Sequence, residues 1–192
     1  RSQKMVCANA AAMQWQIKSR QPLMAKRQHA FVRIAVLVAV ALAVLVLDQA
    51  SKEFMRSYLA DGPREFIPGV LGLRLTENTG AAFSMGEGSQ WLFVGIAVLV
   101  CMAVLIWVAL DSSLSLSLVC SLGLVVGGGL ANLIDRVCLG AVTDFFATEF
   151  IDFPIFNVAD IAITCGVVLT LLLWWLQSEG SDSKKDSGGQ RG

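Results

Sequence analysis

One histidine occurs in 192 residues, and it, His29, sits in a basic stretch far from every acidic cluster. This excludes a Ser-His-Asp triad, an H-E-x-x-H zinc site and any other histidine-dependent centre. Charge is scarce too: 16% of residues are charged against 55% hydrophobic, a balance wrong for an ordinary soluble protein. No basic stripe with interleaved aromatics is present, which argues against a nucleic-acid partner. The five cysteines, Cys7, Cys101, Cys120, Cys138 and Cys165, form no C-x-x-C pair, and three of them lie inside apolar runs. They read as small polarizable packing residues, and no metal site is expected. Chemistry in this chain must rest mainly on carboxylates, with no cofactor.

What is present is four long apolar runs, at about 30–47, 91–110, 114–134 and 155–175, each long enough to cross a bilayer. The expected fold is therefore an all-α polytopic membrane protein: four transmembrane helices with a small β-containing outer loop region. Arg33 near the start of the first run has a side chain long enough to snorkel to the headgroups. Trp91, Trp174 and Trp175 read as interfacial anchors.

The organisation expected is a basic, flexible cytosolic extension over 1–29, a single membrane domain over 30–176 and a disordered cytosolic tail over 177–192. A signal peptide is the competing reading of the first run, but no small-x-small cleavage site follows it, so an uncleaved span is favoured. Basic residues concentrate before the first span and after the fourth, which places both termini in the cytosol. The connections 48–90 and 135–154 then lie outside. In the first of them Pro68-Gly69 marks a turn, and partial alternation over Val70 to Thr76 predicts a short strand. Only Asp111-Ser112-Ser113 joins the second and third spans, forcing an antiparallel hairpin. Gly123, Gly127, Gly128 and Gly129 in the third span predict close helix contact.

This topology brings polar residues to one membrane face. Asp48 ends the first span, Asn132 and Asp135 end the third, and Asn157 and Asp160 begin the fourth, with Asp144 and Arg136 in the connection between. Ionisable groups there are costly and ask for a function. Two carboxyl groups in a poorly hydrated pocket cannot both ionise cheaply, so one keeps a proton while the other stays charged. Such a pair is a ready acid and base, and Asp144 with Asp160 is the sharpest candidate. Asp48 reads as a cap that pairs with Lys52 at i+4, Arg136 as the partner of a nearby carboxylate, and Asp135 as structural. Asn132 and Asn157 read as helix-end residues or as donors orienting the aspartates.

Four segments carry a resemblance to a known family. They are Asp48-Gln49-Ala50-Ser51-Lys52, then Asn78 to Ser84, then Asn132-Leu133-Ile134-Asp135-Arg136 with Gly140, Val142, Asp144 and Phe145, and finally Phe156-Asn157-Val158-Ala159-Asp160. In order, spacing and topology the chain resembles lipoprotein signal peptidase, or signal peptidase II, of bacterial inner membranes. The resemblance covers about 30–176. It implies that Asp144 and Asp160 are catalytic and that Asp48, Asn78, Gly80, Asn132, Arg136 and Asn157 support substrate and site. Lys52, Asp135, Gly128 and Gly140 are assigned structural roles. The implied reaction is hydrolysis of the bond before a diacylglyceryl-modified cysteine in a prolipoprotein, in contact with membrane lipids and sensitive to globomycin-type inhibitors. Ala131 departs from the family, which usually has glycine there.

Two rivals are weighed against this reading. A small transporter or proton channel would need an ionisable relay, yet the second span and the inner halves of the others have none. A structural assembly protein would use the same aspartates only to lock the helices together.

Overall fold

The computed structural model describes residues 2–80 and 90–186, with side chains described over 29–80 and 90–177. Its elements are α1 (Ser2–Tyr58), β1 (Arg64–Ile67), β2 (Leu71–Asn78), α2 (Gln90–Leu110), α3 (Leu116–Leu139), β3 (Val142–Thr148) and α4 (Val158–Asp186). Each of the four helices contains a stretch long and apolar enough to cross a membrane. The strands form one antiparallel sheet in the order β1-β2-β3. The chain is thus a multi-pass, mostly helical membrane protein with a small sheet at one end.

Helix α3 is the most buried of the four and packs between α1 and α4. Glycine makes this possible: a Cβ on Gly127 would stand 2.7 Å from the Ala41 carbonyl oxygen of α1, and one on Gly128 2.5 Å from the Ala159 carbonyl oxygen of α4. The apolar seam runs through Leu37, Val104, Leu118, Val119, Leu122 and Val126. A smaller cluster of Leu59, Leu73 and Phe145 joins the end of α1 to the sheet. The short turn between α2 and α3 is held by Asp111, whose Oδ1 accepts from the Ser113 N–H at 2.9 Å and hydroxyl at 2.6 Å.

Several expected boundaries move. The first span does not stop at residue 47; α1 continues to Tyr58, so Asp48 and Lys52 lie one turn apart within the same helix. The reason is a second amphipathic stretch, Asp48 to Tyr58, which buries Asp48 and Lys52 on one face and exposes Phe54 and Tyr58 on the other. At about 1.5 Å per residue, about 20 residues cross the hydrocarbon, so the last turns of α1 stand above it. At its other end α1 runs through the stretch expected to be a flexible extension, and α4 reaches Asp186 within the expected tail.

The third span starts at Leu116 instead of 114, with Ser115 as N-cap, and runs past 134 to Leu139. It ends on Gly140 at φ 80°, a left-handed cap whose N–H donates to the Arg136 carbonyl at 3.1 Å. Asp135 and Arg136 are therefore helical. The strand expected near 70–76 is found as β2, whereas β3 occupies what was read as a connecting loop and carries Asp144. The fourth span starts at Val158, after an extended segment through Pro154. Arg33 is buried and donates to the Ser112 carbonyl at 2.9 Å instead of reaching the headgroups, because the tight α2–α3 turn leaves that carbonyl without a helical partner.

Candidate active site

Asp160 is placed by the start of α4. Asn157 is the N-cap, its Oδ1 accepting from the Asp160 N–H at 3.0 Å, while Asp160 Oδ2 accepts from the Asn157 N–H at 3.0 Å. This reciprocal box satisfies two backbone donors and puts a carboxylate at the positive end of the helix dipole. The remaining Asp160 oxygen, Oδ1, accepts from Asn132 Nδ2 of α3 at 2.8 Å.

Asp144 is placed by β3 and is buried. Its Oδ1 accepts from Asn157 Nδ2 at 2.6 Å and its Oδ2 from Asn78 Nδ2, at the end of β2, at 3.1 Å. Asn157 thus holds both aspartates, one through its side-chain amide and one through its backbone. Burial raises the Asp144 carboxyl to about 6, and the negative charge of Asp160 pushes the same way. The hydrogen bonds from Asn78 and Asn157 and the Lys52 charge oppose this.

Behind the pair lies a fully buried ionic cluster. Lys52 Nζ contacts Asp48 Oδ2 at 2.7 Å, Asp135 Oδ2 at 2.8 Å and Asn132 Oδ1 at 3.0 Å, one acceptor for each of its three protons. Asp48 Oδ1 accepts from the Ala159 N–H in the first turn of α4, and Asp135 Oδ1 from Gln49 Nε2, both at 2.8 Å. Asn132 passes the cluster's geometry forward: its oxygen is fixed by Lys52 and by Asn157 at 3.1 Å, so its amide must point at Asp160.

Arg136 differs from expectation. Instead of pairing with a carboxylate, it donates to the Gly80 carbonyl at 3.0 Å and the Asn132 carbonyl at 3.3 Å, with its guanidinium over the Phe93 ring. The helical extension of α3 aims it at the loop after β2, so it fixes that segment and not the 135–154 connection. Gly80 is further held by its N–H donating to Asn78 Oδ1 at 3.0 Å. Residues 81–84 of the same motif lie outside the described residues. Two contributors, Thr143 and Arg56, escaped the sequence reading, and Gln49 entered it only as part of its motif, with no role assigned. Asp48, Lys52 and Arg56 repeat at i+4, a signal that becomes visible once α1 is carried past residue 47.

Both aspartates line one mainly apolar cleft of about 460 Å³, walled by Phe153, Pro154, Ile155 and Phe156 and continuing along α4 past Ile161 to Thr164 and Cys165. A second, more polar groove of about 660 Å³ runs over the sheet past Arg74, Glu77 and Glu149 and shares Asn78, Asp144 and Phe153 to Ile155 with the cleft. An apolar chain and a polar one can therefore meet at Asp144.

Known proteins are similar to this chain in sequence and fold. The family model described as signal peptidase (SPase) II matches residues 40–176. The lipoprotein signal peptidase of Streptococcus thermophilus (strain CNRZ 1066) is 42% identical over 150 residues, 78% of this chain and 97% of the relative. That of Streptococcus pyogenes serotype M6 is 40% identical over 140 residues, 72% and 92% of the two chains. A bacterial membrane enzyme solved by the in meso method at 2.3 Å superposes with a TM-score of 0.71 at 30% identity, covering 77% of this chain and 92% of that one. With the family model matched over residues 40–176 and relatives at 40–42% identity over most of its length, the chain belongs to the signal peptidase II family.

Proposed function

We propose that this chain is a membrane aspartic endopeptidase that removes signal peptides from prolipoproteins, cutting before the diacylglyceryl-modified cysteine. The observation that carries the mechanism is that Asp144 and Asp160 open on one cleft while all four of their oxygens are held by amide donors. The ionised member of the pair takes a proton from water as its oxygen bonds to the scissile carbonyl carbon. The protonated member gives its proton to the carbonyl oxygen. On collapse the C–N bond breaks, the nitrogen receives the proton first taken from water, and one hydroxyl of the tetrahedral intermediate returns its proton to the other aspartate, leaving a carboxylic acid and a free amine. The apolar cleft suits the lipid-bearing cysteine and the segment before it, and the polar groove suits the chain after it. Globomycin-type inhibitors would compete for the cleft.

The test is cleavage of a lipidated prolipoprotein by the purified protein, with the products weighed by mass spectrometry. A cut immediately before the lipidated cysteine, with little cutting of the unlipidated substrate, is expected. A well-folded protein that cuts neither would return the advantage to the transporter and assembly readings.

The reading extends to a bacterial inner-membrane location with both termini cytosolic and the site at the outer surface. Single cysteines introduced at 149–153 should react with an impermeant maleimide in intact spheroplasts. Labelling only after lysis would reverse the orientation.

A pH dependence follows from Asp144. Its carboxyl, raised to about 6, loses its proton as pH climbs through that value, so Asp144 can no longer serve as the acid. The fall belongs to the coupled pair. Accordingly kcat/KM should decline on the alkaline side of about pH 6. Asn78→Ala removes a donor that favours the ionised form, so the decline should move to higher pH. A kcat/KM that instead rises through this region would mean that Asp144 acts in its ionised form, as the base.

A further inference from the structure

We propose that Arg56 and Thr143 act together as positioning residues for Asp144, tying β3 to the helices beside a bulge in its pairing with β2. The inference rests on the reading of Asp144 as catalytic.

The β2–β3 ladder is interrupted beside the site. Leu73 pairs with Phe146 and Thr76 with Asp144, so two β2 residues, Arg74 and Leu75, oppose the single Phe145. A bulge of this kind breaks regular pairing and bends the strand. Among the described residues β3 has β2 on one side, and its other edge meets only Phe156, in a single bridge at Phe146. Beyond the bulge, the register of Asp144 against β2 rests on three pairs, Thr76–Asp144, Glu77–Thr143 and Asn78–Val142.

Thr143, the residue before Asp144, adds a hold from outside the sheet. It is buried, and each of its polar groups is held from outside the sheet. Its N–H donates to Asp135 Oδ2 of α3 at 3.1 Å, and its carbonyl faces Asn157 Nδ2, the α4 cap, at 3.4 Å. Its hydroxyl accepts from Arg56 Nη2 of α1 at 2.8 Å. Three helices thus fix one residue in three directions, and the next side chain is Asp144. Of the three contacts, only the Arg56 one depends on the Thr143 side chain. Arg56 reaches it from the part of α1 that stands above the membrane, and is itself oriented by Glu53 at 3.0 Å. The outer extension of α1 is in this view a strut for the catalytic strand.

The test uses Thr143→Val, Thr143→Ser, Arg56→Ala and the Arg56→Ala/Thr143→Val double variant, in the full-length protein with lipidated substrate. Thr143→Val and Arg56→Ala should each lower kcat about three- to tenfold, the scale of losing one charge-assisted hydrogen bond that orients a reacting group. KM should stay within about twofold, since the cleft walls are untouched. The double variant should be no worse than either single one, and Thr143→Ser, which keeps the acceptor, should retain wild-type kcat. Unchanged kcat in both single variants, or losses that multiply in the double, would overturn the proposal. So would losses that merely track a lowered thermal transition. If Thr143→Val does not fold, Arg56→Ala at its partly exposed site decides alone. Failure of the wild type to cut would implicate the functional reading itself and not this strut.

Discussion

Asp144→Asn and Asp160→Asn should each lower kcat by about 100- to 10,000-fold, the range for losing a positioned acid or base, with the protein still folded. Asparagine keeps the shape of the side chain but can neither take nor release the proton. The substitution also has a geometric cost at Asp144. Its two oxygens accept from Asn78 and Asn157, so an introduced NH₂ group must face a donor. Neither neighbour can turn its amide freely: Asn78 Oδ1 is held by the Gly80 N–H and Asn157 Oδ1 by the Asp160 N–H. A stability loss of about 1–3 kcal/mol is expected from that mismatch, and a melting curve measures it separately from turnover. Asp160→Asn meets the same conflict between Asn132 and the Asn157 backbone. Cleavage within about tenfold of wild type by either variant would sink the dyad, because no acid–base role is that small. Loss of folding without any folded, inactive fraction would favour the assembly reading instead.

The architecture was legible because membrane burial leaves little ambiguity: four long apolar runs and one three-residue connection fix four spans and a hairpin. The polar residues were legible as a group for the same reason, since each is expensive where it lies. Their division of labour was harder to read. Asp144 looked like a loop residue because Val142 to Thr148 is short and its Asp-Phe-Phe centre does not alternate; only pairing with β2 makes it a strand. The end of α1 was misread because the hydropathy drop at Asp48 marks the burial of an ion pair, not the end of a helix. Arg136 was given a carboxylate partner by default, yet the nearest acids are already satisfied by amides and by Lys52. One-dimensional spacing cannot show which donor reaches an acceptor first.

Lys52→Met should be the most destabilising single change outside the apolar core. Lys52 is fully buried with two carboxylates at 2.7 and 2.8 Å, and methionine fills nearly the same volume without the charge. Asp48 and Asp135 would then face each other across an apolar side chain, and breaking a buried pair from one side costs about 3–5 kcal/mol. Asn132 Oδ1 would lose its lysine donor too, freeing the amide that now points at Asp160, so activity should fall even in the fraction that folds. The cost lies in what is left unpaired, and this gives the prediction its check. Replacing all three charges in Asp48→Asn/Lys52→Met/Asp135→Asn removes both stranded carboxylates, and that triple variant should be more stable than Lys52→Met alone. Thermal melts of the purified proteins in one detergent compare the two directly. A triple variant less stable than the single one would mean that the carboxylates stabilise chiefly through the Ala159 and Thr143 N–H groups and Gln49, and that Lys52 contributes little by its charge.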